Sequence, residues 1–261
     1  MLKRLWQYRN FVFDSIRNEM RVRFARSKLG GLWMIVNPLA QVAIYVVILS
    51  NVLAAKLPGI NNKYSYAIYL MAGQLAWSLF NEIVGRSTNL FIERGDLMKK
   101  VNFPRITLPG ILVGASLLNN VLLFIAMAGI YILLGHGFSL QILWLVPLTF
   151  TVVALGVGIG LIAGVLNVFL RDIGQIMPIA LQIWFWFTPI VYPETIIPES
   201  YRQILLINPM YSIVRAYHNI LVYGRNPSIT EMSLVCAAAL TLMVASLLLF
   251  RRASSEMVDV L

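Results

Sequence analysis

"QILWLVPLTFTVVALGVGIGLIAGVL", residues 141–166, decides the fold. It contains no Asp, Glu, Lys or Arg. A helix that crosses a bilayer needs about 20 mainly apolar residues, so this run is long enough to tilt or protrude. Gly156, Gly158, Gly160 and Gly164 give it a small-residue face for close helix contact, and ordinary packing accounts for them. Working outward, five more apolar runs follow the same rule: 33–53, 66–85, 107–134, 174–191 and 232–250. Only 66–85 holds a formal charge, Glu82 near its end. The expectation is an all-α membrane protein with six transmembrane helices in a single domain, 1–261. Spans one to five occupy 33–191 and span six occupies 232–250.

Composition agrees. Of 261 residues, 59% are hydrophobic and 12% are charged, whereas a soluble domain carries about a quarter charged. A net charge of +10 raises the question of nucleic acid. The cations, however, cluster at the ends of apolar runs, which suits orientation among membrane lipids. No nucleic-acid partner is expected. Six spans place both termini on one side. Lys and Arg number eight in residues 1–31, five after span two, one after span four and two at the C-terminus. The opposite side holds five: Lys56, Lys63, Arg202, Arg215 and Arg225. The excess puts both termini of this multi-pass protein in the cytoplasm. The lone Cys236 lies in an apolar run and reads as a small hydrophobe. No short apolar core with a cleavage site follows the basic N-terminus, so no signal peptide is expected. No repeat or domain break is visible.

Residues 1–31 read as a cytoplasmic interfacial helix. Leu5, Val12, Ile16, Met20 and Phe24 fall towards one side, and Arg9, Arg17 and Arg21 towards another. Trp6 is placed as an anchor. Two roles stay open for this helix: a membrane anchor, or a gate beside a transport path that would involve Trp6 and Arg9. "RFARSKLGGLWMIVNPL" (23–39) follows. Gly30 and Gly31 permit a sharp turn into span one, and Pro38 can kink it. From Arg23 through Ser27, Leu29, Gly30, Trp33, Asn37 and Pro38, this stretch resembles the entry to the first span in polysaccharide-exporting ABC permeases. Those are the membrane subunits of type-2 ABC exporters for O-antigen, capsule and teichoic acid.

"NLFIERGDLMKKVNFPRITLP" (89–109) sits on the cytoplasmic side by the charge count. Asn89 to Lys100 can make about three helical turns, and Pro104 disfavours helix at the residue before it. So short a helix needs a surface to pack on. Its lysine pair and "FP" step resemble the coupling region of the same permeases, where a short helix inserts into a cleft of the ATPase subunit. The resemblance implies that Leu90 to Phe103 make that contact. Leu90, Phe91, Leu97 and Met98 would supply apolar surface, and Glu93, Arg94, Asp96, Lys99 and Lys100 polar surface. Without the resemblance, a solvated loop whose lysines merely orient the chain reads equally well.

Catalysis needs convergent groups. His136 and His218 lack metal-ligand spacing, and no GxxxxGK[ST] occurs. Neither catalytic residues nor metal ligands are expected, and no cofactor in this chain; ATP and Mg2+ would belong to a partner subunit.

Residues 189–227 are broken by Pro189, Pro193, Pro198, Pro209 and Pro227. Two amphipathic segments, about 199–207 and 210–223, are too short to span. The two segments either form a re-entrant hairpin or lie at the outer interface; the resembling exporters gate their outer exit here, which implies an extracytoplasmic re-entrant helical hairpin over 192–227, before the last span. Tyr192, Tyr201, Tyr211, Tyr217 and Tyr223 each offer a ring for a sugar face and a hydroxyl for hydrogen bonding, or else form an aromatic belt. Trp184, Phe185, Trp186 and Phe187 form a dense aromatic cluster in span five, facing either a path or lipid. Glu82 either snorkels to the interface or meets Arg86 one turn on, and Asn119 and Asn120 are placed to bond between helices.

The resemblance covers nearly the whole chain and is strongest to O-antigen exporters. It implies a homodimeric permease with two ATP-binding-cassette subunits, exporting a lipid-linked polysaccharide. The alternatives are a capsule or teichoic-acid exporter, an ABC exporter of a drug or small lipid, and a membrane-embedded enzyme or assembly factor without ATPase coupling.

Overall fold

A computed structural model describes residues 8–24, 30–52, 65–100, 104–198, 200, 205–254 and 256–260. Among them every regular element is helical. In chain order these are α1 (Arg9–Phe24), α2 (Trp33–Val52), α3 (Ser65–Glu93), α4 (Gly95–Lys100), α5 (Thr107–Leu133), α6 (Leu145–Phe169), α7 (Ile173–Trp186), α8 (Pro209–Leu221), α9 (Ile229–Ala253) and α10 (Glu256–Val260). A 3-10 turn at Leu140–Trp144 leads into α6.

Among the described residues three helical stretches are long and apolar enough to cross a bilayer: α5, α6 with its leading turn, and α9. Helix α7 is apolar but has 14 residues. That is about 21 Å, short of a roughly 30 Å hydrocarbon layer. The run expected to reach 191 therefore ends at Trp186, ahead of Pro189 and Pro193. Helix α3 differs in the other direction. Its apolar run stops near 85, yet the helix continues to Glu93 because Ser87, Thr88, Leu90 and Phe91 keep a buried face.

That face explains the glycines. Helix α3 runs through the centre of the molecule, and α6 lies along it. A methyl group added at Gly160 would sit 2.7 Å from Ser87 Cβ, and one at Gly156 3.1 Å from Ile83 Cγ2. One at Gly164 would collide with the Ser87 carbonyl oxygen. Gly158 points elsewhere, to Leu242 of α9 at 2.9 Å. The small-residue face is two faces, spaced so that α6 packs backbone-close on both neighbours.

Polar groups tie α3 to α5. Asn120 Nδ2 donates to Leu75 O at 2.9 Å, and Tyr131 Oη to Ile68 O at 2.7 Å. Asn119 Nδ2 donates to Glu82 Oε1 at 2.7 Å, and Arg86 Nη1 to the same oxygen at 3.2 Å. Glu82 thus meets Arg86, and Asn119 and Asn120 bond between helices as expected, while the Tyr131 bond was not anticipated. In an apolar surround each bond also removes an unsatisfied group, which makes it more valuable than a surface bond.

Helix α1 lies on α5. Val12 and Ile16 are buried against Ala115, with Met20 and Ile111 beside them. Of the apolar side expected of this helix, Val12, Ile16 and Met20 are thus packed on protein, while Leu5 and the Phe24 side chain lie outside the described residues. Gly30 takes φ +52° at the turn into α2, a value that glycine adopts without strain. At the other end, Asn208 Oδ1 accepts from Met210 N at 3.0 Å and caps α8, with Pro209 at its first position. Of the two short segments expected there, 210–223 corresponds to α8. Most of 199–207 lies outside the described residues.

Candidate functional site

A groove of about 660 Å³ opens between α2, α3 and α7. Helix α2 contributes Asn37, Pro38 and Gln41; α3 contributes Gln74, Trp77, Ser78, Asn81 and Gly85; α7 contributes Pro178, Leu181, Gln182, Phe185 and Trp186. Helical geometry produces this wall. Residues 37 and 41, then 74, 78, 81 and 85, then 178, 182 and 185, recur at three- and four-residue spacing and so form one stripe per helix. Gln74 Nε2 donates to Gln41 Oε1 at 3.2 Å and joins two of the stripes. Trp77 meets Phe185 edge-on at 5.6 Å, and Phe185 meets Trp186 at the same separation.

None of these lining residues carries a formal charge. Amides donate and accept, serine does both, and aromatic rings offer flat apolar faces. Such a wall suits a neutral, hydroxyl-rich chain that must be held weakly at many points and released. Among the described residues no cluster of three or more His, Cys, Asp or Glu could hold a metal.

Of the aromatic residues expected on the path, Trp186 lines this groove and is half exposed. Trp184 does not. Its Nε1 donates to Asn208 Oδ1 at 2.7 Å and its ring packs edge-on to Phe80 at 5.2 Å, so it braces α7 against the cap of α8. Tyr211 and Tyr217 are each 1% exposed, which corrects their reading as sugar platforms. Tyr217 Oη pairs with Thr149 Oγ1 at 3.1 Å. Tyr211 Oη donates to Glu194, which also binds Arg215 at 3.4 Å, and Arg215 reaches Glu231 at 3.5 Å. Burial, then the Glu194 bond, raises the Tyr211 phenol above its ordinary range and keeps it a donor. The tyrosines fail as platforms because α8 is amphipathic and turns their face inward, onto α3 and α6. Tyr192 is half-buried, its Oη donating to Trp186 O at 2.7 Å. Trp6 and Tyr201 lie outside the described residues.

At the other end of α3 the charged segment is a break in the helix rather than a loop. Arg94 N donates to Leu90 O at 3.1 Å, and Met98 N to Arg94 O at 3.0 Å, so α3 runs almost directly into α4. Leu90, Phe91 and Met98 are buried. Phe91 stacks on Phe250 of α9 at 5.0 Å and 12°. These three were expected as apolar surface for a partner; their side chains are already used by the chain's own core. Glu93, Arg94 and Asp96 are exposed. The side chains of Leu97, Lys99 and Lys100, and the whole of Phe103, lie outside the description. Arg9 is exposed on α1. Helix α1 also approaches the segment: Glu19 pairs with Arg86, and a cavity of about 160 Å³ between α1, α3 and α5 is lined by Ser15, Glu19, Arg86, Glu93 and Arg94 among others.

Sequence reading missed the groove residues Asn37, Gln41, Gln74, Trp77, Ser78, Asn81 and Gln182, whereas Phe185 stood in the aromatic cluster it singled out. The signal was present. Amides and serine at helical spacing inside otherwise apolar runs mark the faces that avoid lipid.

The comparisons with known proteins agree with one another. The family described as "ABC-2 type transporter" matches residues 13–222. The chain is 29% identical over 266 residues to the O-antigen export system permease protein RfbA of Myxococcus xanthus, covering 99% of this chain and 98% of that protein. To the protein of the same name from Klebsiella pneumoniae it is 26% identical over 263 residues, 96% of each. To the polysialic acid transport protein KpsM of Escherichia coli it is 24% identical over 248 residues, 92% of each.

Proposed function

The chain belongs to the ABC-2 type transporter family, and from that premise we propose that it is the membrane subunit of an ATP-driven exporter of a lipid-linked polysaccharide. The relatives named for O-antigen export and for polysialic acid transport support a glycan as cargo. The observation that carries the reading is the uncharged polar and aromatic groove between α2, α3 and α7. Hydroxyls of a glycan exchange bonds with water for bonds with Asn37, Gln41, Gln74, Ser78, Asn81 and Gln182, at little net gain per contact. Rings stack on Trp77, Phe185 and Trp186. Weak contacts repeated along a path favour threading over tight retention.

Two copies of the chain form the pathway, and two ATP-binding-cassette subunits dock on the cytoplasmic face, supplying ATP and Mg2+. Six spans cross the inner membrane with both termini in the cytoplasm. Glu93, Arg94 and Asp96, at the break between α3 and α4, meet the partner ATPase. Phe91 and Met98 hold that surface to the core. The 192–227 region forms the outer end, with α8 buttressing it from inside.

The test is purification of this chain with its candidate ATPase, reconstitution, and measurement of glycan-stimulated ATP turnover and glycan movement. Stimulation by lipid-linked glycan and its ATP-dependent transfer support the reading. ATP turnover indifferent to glycan but stimulated by a short-chain lipid overturns it.

A further inference from the structure

One side chain joins three helices at the point where the charged segment begins. Asn167, near the end of α6, is 1% exposed. Its Nδ2 donates to Thr88 O at 2.9 Å and to Asn89 Oδ1 at 3.1 Å, both on α3. Its Oδ1 accepts from Gly174 N at 2.8 Å, in the first turn of α7. The first amides of a helix lack partners within it, so Asn167 acts as a remote cap. The usual capping position, Asp172, makes no such bond. Gly174 makes the fit close: a methyl there would stand 3.1 Å from both Asn167 and Asn89 side-chain atoms and press on the amide that bridges them.

The placement has a mechanical consequence. Five residues beyond Asn89 lies the helix break at Arg94. Along α7 from Gly174 lie Pro178, Gln182, Phe185 and Trp186, one wall of the groove. Residues 167–174 turn the chain tightly, with Gly174 N also donating to Arg171 O at 3.2 Å. We propose that Asn167 is a positioning residue that transmits displacement of the 88–94 segment to α7, so that the partner's motion reaches the groove wall. This rests on the exporter reading and deepens it. Both the donor and the acceptor arm are needed: the first grips α3, the second grips α7. Without them, α3 can shift while α7 stays in place.

The test uses the complex of the full chain with its ATPase, in a Cys236→Ser background, with a spin label at Ile183→Cys on the outward face of α7. ATP is added without glycan. In the parent complex, ATP changes the label's mobility. Asn167→Ala and Gly174→Ala reduce that change by about fivefold or more while complex assembly and ATP turnover persist. Asn167→Asp, which keeps the acceptor arm and loses the donors, gives the same loss. An ATP response of unchanged size in all three variants overturns the joint and leaves the glycan reading intact. A parent complex whose label ignores ATP overturns the coupled motion and the joint with it. Retained response but absent glycan stimulation overturns the cargo assignment alone.

Discussion

Single residues carry contrasting duties along the same helices. Gly164 of α6 admits the Ser87 backbone, whereas Gly129 of α5 has nothing within 4 Å of an added methyl. Gly164→Val should therefore cost about 1–3 kcal/mol through overpacking, seen as a lowered thermal midpoint of the detergent-solubilised protein. Gly129→Ala should leave that midpoint unchanged or raise it slightly, since alanine favours helix. Asn120→Leu removes the donor to Leu75 O and should cost about 1 kcal/mol, the scale measured for interhelical bonds in membranes. Asn119 is a different case. Its Nδ2 serves Glu82, while its Oδ1 is buried without a partner, as is Ser116 Oγ nearby. Single asparagines were legible in the sequence as interhelical bonders, because an amide inside an apolar run has few other options. The buried fate of Tyr211 and Tyr217 was not legible. Their alternation with polar residues fits either face of α8 until neighbours are known.

Elements show what decides helix ends. The apolar run of α3 predicts a stop near 85, but packing on α6 carries the helix to Glu93. Hydropathy alone cannot report a helix whose last turns leave the lipid and remain buried in protein. For the same reason Leu90, Phe91 and Met98 were legible as contact residues but not as contacts within the chain. The segment's two faces should separate experimentally. Reversing charge at Glu93, Arg94 and Asp96 should abolish co-purification with the ATPase while the thermal midpoint holds. Phe91→Ala should lower that midpoint, by about 3–5 kcal/mol of stability. If the charge reversals leave co-purification intact, the partner contact lies elsewhere. At α1, the basic and apolar alternation was legible, and Val12 and Ile16 occupy the side expected to be buried. That α5 rather than lipid covers them follows from Gly114 and Ala115, whose small size opens a seat for Ile16.

Across the whole molecule, the helical class, the membrane setting and the permease family were readable from charge-free runs and from the motifs at 23–39 and 89–109. The groove was not, because it is assembled from three helices whose polar stripes are each too sparse to mark a site. Its uncharged wall yields the most direct measurement of the central claim, that glycan passes between α2, α3 and α7. In the reconstituted complex with its ATPase and a Cys236→Ser background, Ser78→Cys is reacted with a bulky maleimide and ATP-driven glycan transfer is recorded. A matched label at Leu248→Cys, on the outward face of α9, serves as reference. Transfer stopped by the label at 78 and unaffected by the label at 248 is the predicted result. Transfer that continues undiminished with residue 78 fully labelled would contradict a path through this groove.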